Sequence, residues 1–334
     1  MFAGKLAISL NLLSIGILAF LISVLFLVFS TNFLLLRLRN LTFKWRKVAL
    51  WLVVIAPWMV AACSMLFFLS TLSIVSSFDW LGSLAHWHHL DTFNLISWHG
   101  LTLLCTLGYL VWSATKMLFF HYRHTSAMAG LTDLSDPQTR ESIGHYRYYL
   151  LNASSLFAFT TGLVHPKIYF SSALKKQVNE QELDIIVRHE AAHVRSRDPM
   201  FKMIFCGFAQ FLPRAAARNL INHYILLTEE IADHSVLQHY DCLDVAQTLI
   251  NVARVQHSIS DDPKFGQASY FGNDQISMRI QRLICPSTPP SRLAIAGIAT
   301  GLSLLILAIV PILAVSTVDS IHHSIEAVFT HQTR

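Results

Sequence analysis

The sequence predicts a mainly α-helical membrane protein, with four transmembrane helices and one cytoplasmic α+β domain, on three observations. Of its 334 residues 53% are hydrophobic and only 13% are charged, too apolar for a soluble domain of this length. The apolar residues gather into four runs near the roughly 20 residues that cross hydrocarbon. Between the third and fourth runs lies the one long polar stretch, 121–292.

The first run, Leu6 to Leu36, is longer than the apolar part of a signal peptide and lacks a small-residue cleavage site, so it reads as a retained anchor. The next two occupy about Val48 to Val75 and Leu95 to Thr115, and the last Leu293 to Val315. Residues 1–120 thus carry three spans, 121–292 the polar domain, 293–315 the fourth span, and 316–334 a short tail. Arg37, Arg39, Lys44, Arg46 and Lys47 crowd the first connection, whereas Ser76 to Asn94 contains no Lys or Arg. The positive-inside rule places the first connection and the polar domain in the cytoplasm and both termini outside. Trp80, Trp87 and Trp98 flank the outer loop as interfacial anchors.

Composition also excludes. The net charge of +5 and pI near 9.0 do not form a basic stripe with interleaved aromatics, so no direct nucleic-acid binding is expected. Five scattered cysteines give neither a disulfide framework nor a CxxC knuckle. A phosphate-cradling glycine loop and a dinucleotide fingerprint are both missing.

Within the polar domain, Tyr149 to Ser172 reads as two short strands around a turn at Gly162 and Pro166. Asn179 and Glu182 then form the signature of a capped helix start, and Asp198-Pro199 ends that helix. Inside it stands His189-Glu190-Ala191-Ala192-His193. A spacing of four puts both imidazoles on one helical face, where they can share a Zn2+ ion, with Glu190 beside them as a general base. A third ligand must come from elsewhere. The candidate is Glu229, with Glu230 as the alternative, on a second helix from about Ala215 to Tyr240. Asp233, one turn on, is placed to orient a ligating imidazole. Two histidines and one glutamate leave an open coordination position, the pattern of a catalytic rather than a structural zinc site. Metal-assisted hydrolysis of a peptide bond follows, with Glu190 moving the proton.

These residues also carry a resemblance. The chain is similar to the BlaR/MecR-type family of integral-membrane zinc metallopeptidases, the beta-lactam sensor-transducers. The similarity rests on Gly162 to Ser171, on His189 to Asp198, on Glu229 to Asp233 and on Arg279-Ile280-Gln281-Arg282-Leu283. It implies three spans, a cytoplasmic gluzincin-type domain and a fourth span in a bacterial inner membrane. It also implies a protein substrate in the cytoplasm or near the membrane, with a transcriptional repressor as the family's usual target. Beta-lactam-binding members carry a large external sensor after the last span; here 316–334 lacks a Ser-x-x-Lys motif, so direct beta-lactam sensing is not expected. Two alternatives stay open: an HtpX-like quality-control peptidase, and a zinc-binding membrane scaffold without catalysis, against which Glu190 argues. The oligomeric state, homo-oligomer included, is also open.

Two further features complete the reading. His86, His88 and His89 in the outer loop form a candidate external sensor, against the plainer role of interfacial histidines beside aromatic anchors. Phe201 to Leu212 is apolar but only twelve residues long, which suits an interfacial or buried helix better than a span.

Overall fold

The computed structural model describes residues 2–38, 41–74, 92–95, 97–133, 140–259 and 276–284, with short helical pieces between 320 and 327. Three long apolar helices come first: α1 (Lys5–Leu38), α2 (Phe43–Ile74) and α3 (Trp98–Asp133). Their stretches Lys5–Thr31, Phe43–Leu69 and Trp98–Phe119 are long and apolar enough to cross a bilayer, which makes this a membrane protein by length and composition. The expected fourth span at 293–315, the tail at 316–334, and the loop histidines His86, His88 and His89 lie outside the described residues.

A short connection after Leu38 forces α1 and α2 into an antiparallel pair. At the far end, β1 (Phe2–Ala3) pairs antiparallel with β2 (Thr92–Phe93), so the N-terminus and the segment before α3 share one side. The third helix does not stop where the basic residues end the expected span. It runs on unbroken to Asp133, past Lys116 and Arg123.

A four-stranded sheet follows, β3 (Arg140–Ile143), β4 (Tyr146–Leu151), β5 (Ala158–Thr161) and β6 (Lys167–Ser171), in the order β3-β4-β6-β5. The sequence predicts two strands around the Gly162–Pro166 turn; they are β5 and β6, paired antiparallel with Phe159 opposite Tyr169. Gly162 has φ +114, and a Cβ there would press on the His165 carbonyl oxygen at 2.8 Å, so the turn requires glycine. β4 lies parallel to β6 on its other side, which leaves β5 as an edge strand among the described residues. One face of the sheet, through Tyr148, Ile168 and Phe170, buries Leu183, Val187 and Ala191 of the helix that carries the HExxH string.

Helices complete the molecule: α4 (Ser172–Gln177), α5 (Glu180–Ser196), α6 (Asp198–Ala209), α7 (Arg214–Val236), α8 (Cys242–Ile259) and α9 (276–284). The apolar Phe201–Leu212 segment is α6 with its following turn, and it is a docking helix rather than a span. It runs beside α2 in the same direction: Trp51 meets Phe201, Phe205 and Phe208 edge-on, and Trp58 meets Phe208 and Phe211. α7 then returns antiparallel, with Tyr224 stacked on Phe205 at 4.2 Å. Leu27 and Leu35 of α1, Leu50 and Val54 of α2, and Phe205, Leu220 and Leu227 belong to one buried cluster. The polar domain and the apolar helices therefore share a core.

Candidate metal centre

α5 is specified locally before anything packs on it. The Asn179 side chain accepts from the Glu182 amide at 2.8 Å and the Glu182 carboxylate accepts from the Asn179 amide at 3.0 Å, a closed capping box. Glu180 and Glu182 also place negative charge in the first turn, where the helix dipole favours it. One apolar edge, Leu183, Val187 and Ala191, faces the sheet, and Ile185 packs with Val236 and Val245 of α7 and α8. His189 and His193 stand between these two packed edges. The helix ends at Arg197 in the left-handed region, φ 50, and α6 begins at the next residue. That sharp corner swings Asp198 beneath His193.

The two imidazoles point their Nε2 atoms at each other, 3.2 Å apart. Glu229 of α7 closes the triangle, its Oε2 3.2 Å from His189 Nε2 and its Oε1 3.6 Å from His193 Nε2. The outer ring nitrogens are held as well. His189 Nδ1 donates to Asp233 at 3.0 Å, and His193 Nδ1 donates to Asp198 at 2.7 Å. Each carboxylate holds the Nδ1–H, so Nε2 is the nitrogen that a metal would take once its proton is displaced. Glu230 turns the other way, to Arg46 of α2 at 2.6 Å and to Arg282. Between the two neighbouring glutamates, the one brought to the histidines is Glu229.

Glu190 is 9% exposed, and the Thr160 hydroxyl of β5 lies 2.8 Å from its Oε2. Arg279 of α9 holds Asp233 with two hydrogen bonds, 2.8 and 2.6 Å, and reaches Glu229 at 3.4 Å. Lys202 of α6 donates to the other Glu229 oxygen at 3.2 Å. A cavity of about 240 Å3 opens here, lined by His189, Glu190 and Arg279 and by the apolar Val236, Leu249 and Ile276. A larger one, about 390 Å3, lies on the opposite face of α5 beside Arg147, Lys167 and Arg195 and includes none of the candidate ligands, so volume alone does not mark the site.

Charge follows geometry. Burial pulls the His189 pKa down, but the hydrogen bonds to Asp233 and Glu229 outweigh it and raise it to about 9. His193 is shifted up in the same way, burial opposing and Asp198 and Glu229 prevailing. Burial would raise Glu229, yet the two imidazoles hold it well below the usual carboxylate range; burial would also raise Asp233, and Arg279 with His189 lowers it instead. The cluster is therefore built to keep its carboxylates anionic and to concentrate positive charge between them.

Those residues fit a zinc ion. Tetrahedral zinc with bonds of about 2.0–2.2 Å wants ligand atoms roughly 3.3–3.5 Å apart; one ligand atom from each of His189, His193 and Glu229 lies within 4.8 Å of the others. Residues 128–261 match the model of peptidase family M48. The matched segment takes in β3 to α8, including all three candidate ligands, and indicates a metallopeptidase domain joined to membrane-type helices. It covers less than half of the chain and does not extend to the BlaR/MecR type. No curated protein matches the chain.

The M48-like domain thus draws together every site residue proposed within it: His189, Glu190, His193, Glu229 and Asp233. Four participants were given no site role from the sequence: Thr160 and Lys202 were not named, Asp198 was named only as a helix end and within a segment that carries the resemblance, and Arg279 only within another such segment. Asp198 carried a signal, since an acidic residue straight after a helix end can fold back onto the last turn. Arg279 carried a weaker one, as a basic residue repeated three positions on by Arg282.

Proposed function

We propose that the chain is a membrane-embedded zinc metalloendopeptidase that cuts a cytoplasmic or membrane-proximal protein. The observation that carries this reading is the convergence of two Nε2 atoms and the Glu229 carboxylate beside Glu190 at the edge of a sheet. A closed structural site would supply a fourth protein ligand and would have no use for Glu190. His189, His193 and Glu229 would hold the ion, whose contribution when bound would be Lewis acidity toward a water and a carbonyl. Asp233 and Asp198 hold the imidazoles in the ligating tautomer. Glu190 takes the proton from the attacking water and passes it to the leaving amine, with Thr160 fixing the direction of its carboxylate. The open edge of β5 can pair with an extended substrate and lay its backbone along the site.

The basic first turn of α2 meets the metal-centre helices through Arg46, which supports placing both on the cytoplasmic side. A bacterial inner-membrane location, a last span at 293–315 and a repressor-like substrate accompany this reading through the BlaR/MecR resemblance.

The test compares detergent-purified wild type with Glu190→Gln for zinc content and for cleavage of a repressor encoded by a neighbouring gene. Zinc in both proteins, with cleavage by wild type alone, supports the reading. Zinc in both with cleavage by neither favours the scaffold alternative, cleavage of misfolded membrane proteins instead of the repressor favours the HtpX-like one, and the absence of zinc from wild type removes the proposal.

A further inference from the structure

Two consecutive basic residues at the start of α2 reach the metal centre from opposite sides. Arg46 donates to Glu230 Oε2 at 2.6 Å, and both side chains are almost fully buried, 5% and 3% exposed. Glu230 is the chain neighbour of Glu229, and its other oxygen accepts from Arg282 of α9. Lys47 stands 3.9 Å from Asp198 Oδ1, while Asp198 Oδ2 accepts from His193. That Oδ1 is buried and makes no hydrogen bond. One turn of an apolar helix thus adjoins the carboxylate arm of the site through α7 and an imidazole arm through α6.

A buried ion pair adds little net stability against apolar packing of the same volume, so Arg46–Glu230–Arg282 calls for another explanation. The shared core already supplies packing: Trp51 sits one turn beyond Lys47 among Phe201, Phe205, Phe208 and Tyr224. Leu220, Tyr224 and Leu227 turn one face of α7 to the shared core, and the ion pairs of Glu230 hold the helix at the ligand's own turn. Glu229 and Glu230 differ by about 100° around that helix, so only one can face the histidines. Pinning Glu230 between two arginines, one from α2 and one from α9, fixes the choice.

We infer that Arg46 is a positioning residue for the metal centre, holding α7 so that Glu229 faces His189 and His193, and that a membrane helix thereby controls the third ligand. This rests on the zinc reading above. Movement of α2 along or about its axis would change the metal geometry without any contact between α2 and the ion.

The test uses the full chain in detergent, with Arg46→Met, Arg46→Lys, Glu230→Gln and, as control, Lys44→Met, whose side chain is exposed on the same turn. Zinc affinity is read by chelator competition, and ligand geometry by the visible absorption of the Co2+-loaded protein. Arg46→Met is expected to lose about 10–100-fold in zinc affinity, the range for residues that orient metal ligands, and to change the cobalt spectrum. Arg46→Lys should recover part of both, Glu230→Gln should move in the same direction as Arg46→Met, and Lys44→Met should match wild type. If Arg46→Met does not fold, Glu230→Gln, which keeps side-chain volume, decides. Wild-type affinity and spectrum in either folded variant overturn the positioning role alone. A wild type that binds neither metal removes the zinc reading, and this inference with it.

Discussion

Replacing Asp233 by Asn tests whether the orienting carboxylate matters as much as its geometry suggests. The Asp233 side chain is 4% exposed and receives three donors: His189 Nδ1 and one Arg279 nitrogen on Oδ1, and Arg279 Nε on Oδ2. Asparagine has the same shape but one acceptor oxygen, and its amide nitrogen can only donate. If the oxygen keeps His189, the amide faces the Arg279 Nε–H; if it turns over, the amide faces the His189 Nδ1–H. The first case leaves one buried donor unpaired and the second leaves two, His189 Nδ1 and one Arg279 nitrogen, at a cost of about 1–3 kcal/mol each. When the cost falls on His189 it appears as weaker metal binding, and about 1.4–2.7 kcal/mol corresponds to the 10–100-fold seen for ligand-orienting partners. Zinc affinity of Asp233→Asn, measured by chelator competition at neutral pH, should fall within that range, with thermal unfolding of the chelated protein recorded beside it. Unchanged zinc affinity together with unchanged thermal unfolding in the folded variant would refute the argument, because neither His189 nor Arg279 would then register the lost acceptor.

Two other outcomes follow from charge and packing. In chelator-treated protein His189 has its pKa raised from about 6.5 to about 9, so its protonated pairing contributes stability fully below pH 6.5 and loses it as the pH rises toward 9. Zinc must displace that proton, so its apparent affinity should climb over the same window, with proton release measurable by calorimetry in buffers of different ionisation heat; a flat affinity from pH 6.5 to 9 would contradict the charged His189. Phe205, fully buried and stacked on Tyr224, lies where α2, α6 and α7 meet. Phe205→Ala should cost about 3–5 kcal/mol of stability, read by thermal unfolding in detergent, and a loss below about 1 kcal/mol would mean that the shared core tolerates the cavity.

What the sequence made legible was what depends on short spacing. His189 and His193 share a helical face because they are four apart, Asp233 follows Glu229 by the same interval, and the Asn179 capping box is written in four consecutive residues. The candidate spans follow from run length alone. The partners that complete the site join distant elements: Thr160 to Glu190 is 30 residues, Arg279 to Asp233 is 46, and Arg46 to Glu230 is 184. Such pairs are set by topology, which a single sequence does not display. The Glu229–Glu230 choice was open for a related reason, since helix rotation depends on what grips the far side. β3 escaped notice because Arg140, Glu141 and Ser142 carry no apolar alternation, and its pairing with β4 defines it instead. The apolar α6 had the right length for a docked helix, yet its docking against Trp51 and Trp58 required the fold.

The edge position of β5 also bears on which proteins the proposed peptidase would choose. A free strand edge reads amide and carbonyl groups, and every folded protein already spends most of these internally. Access would therefore turn on whether a target can surrender several residues of chain from its own structure, more than on the identity of any one side chain. Folded domains would be passed over, while linkers, frayed ends and partly unravelled segments near the membrane would be open to cutting. A target could then be switched between sparing and destruction by whatever orders or loosens a few of its residues.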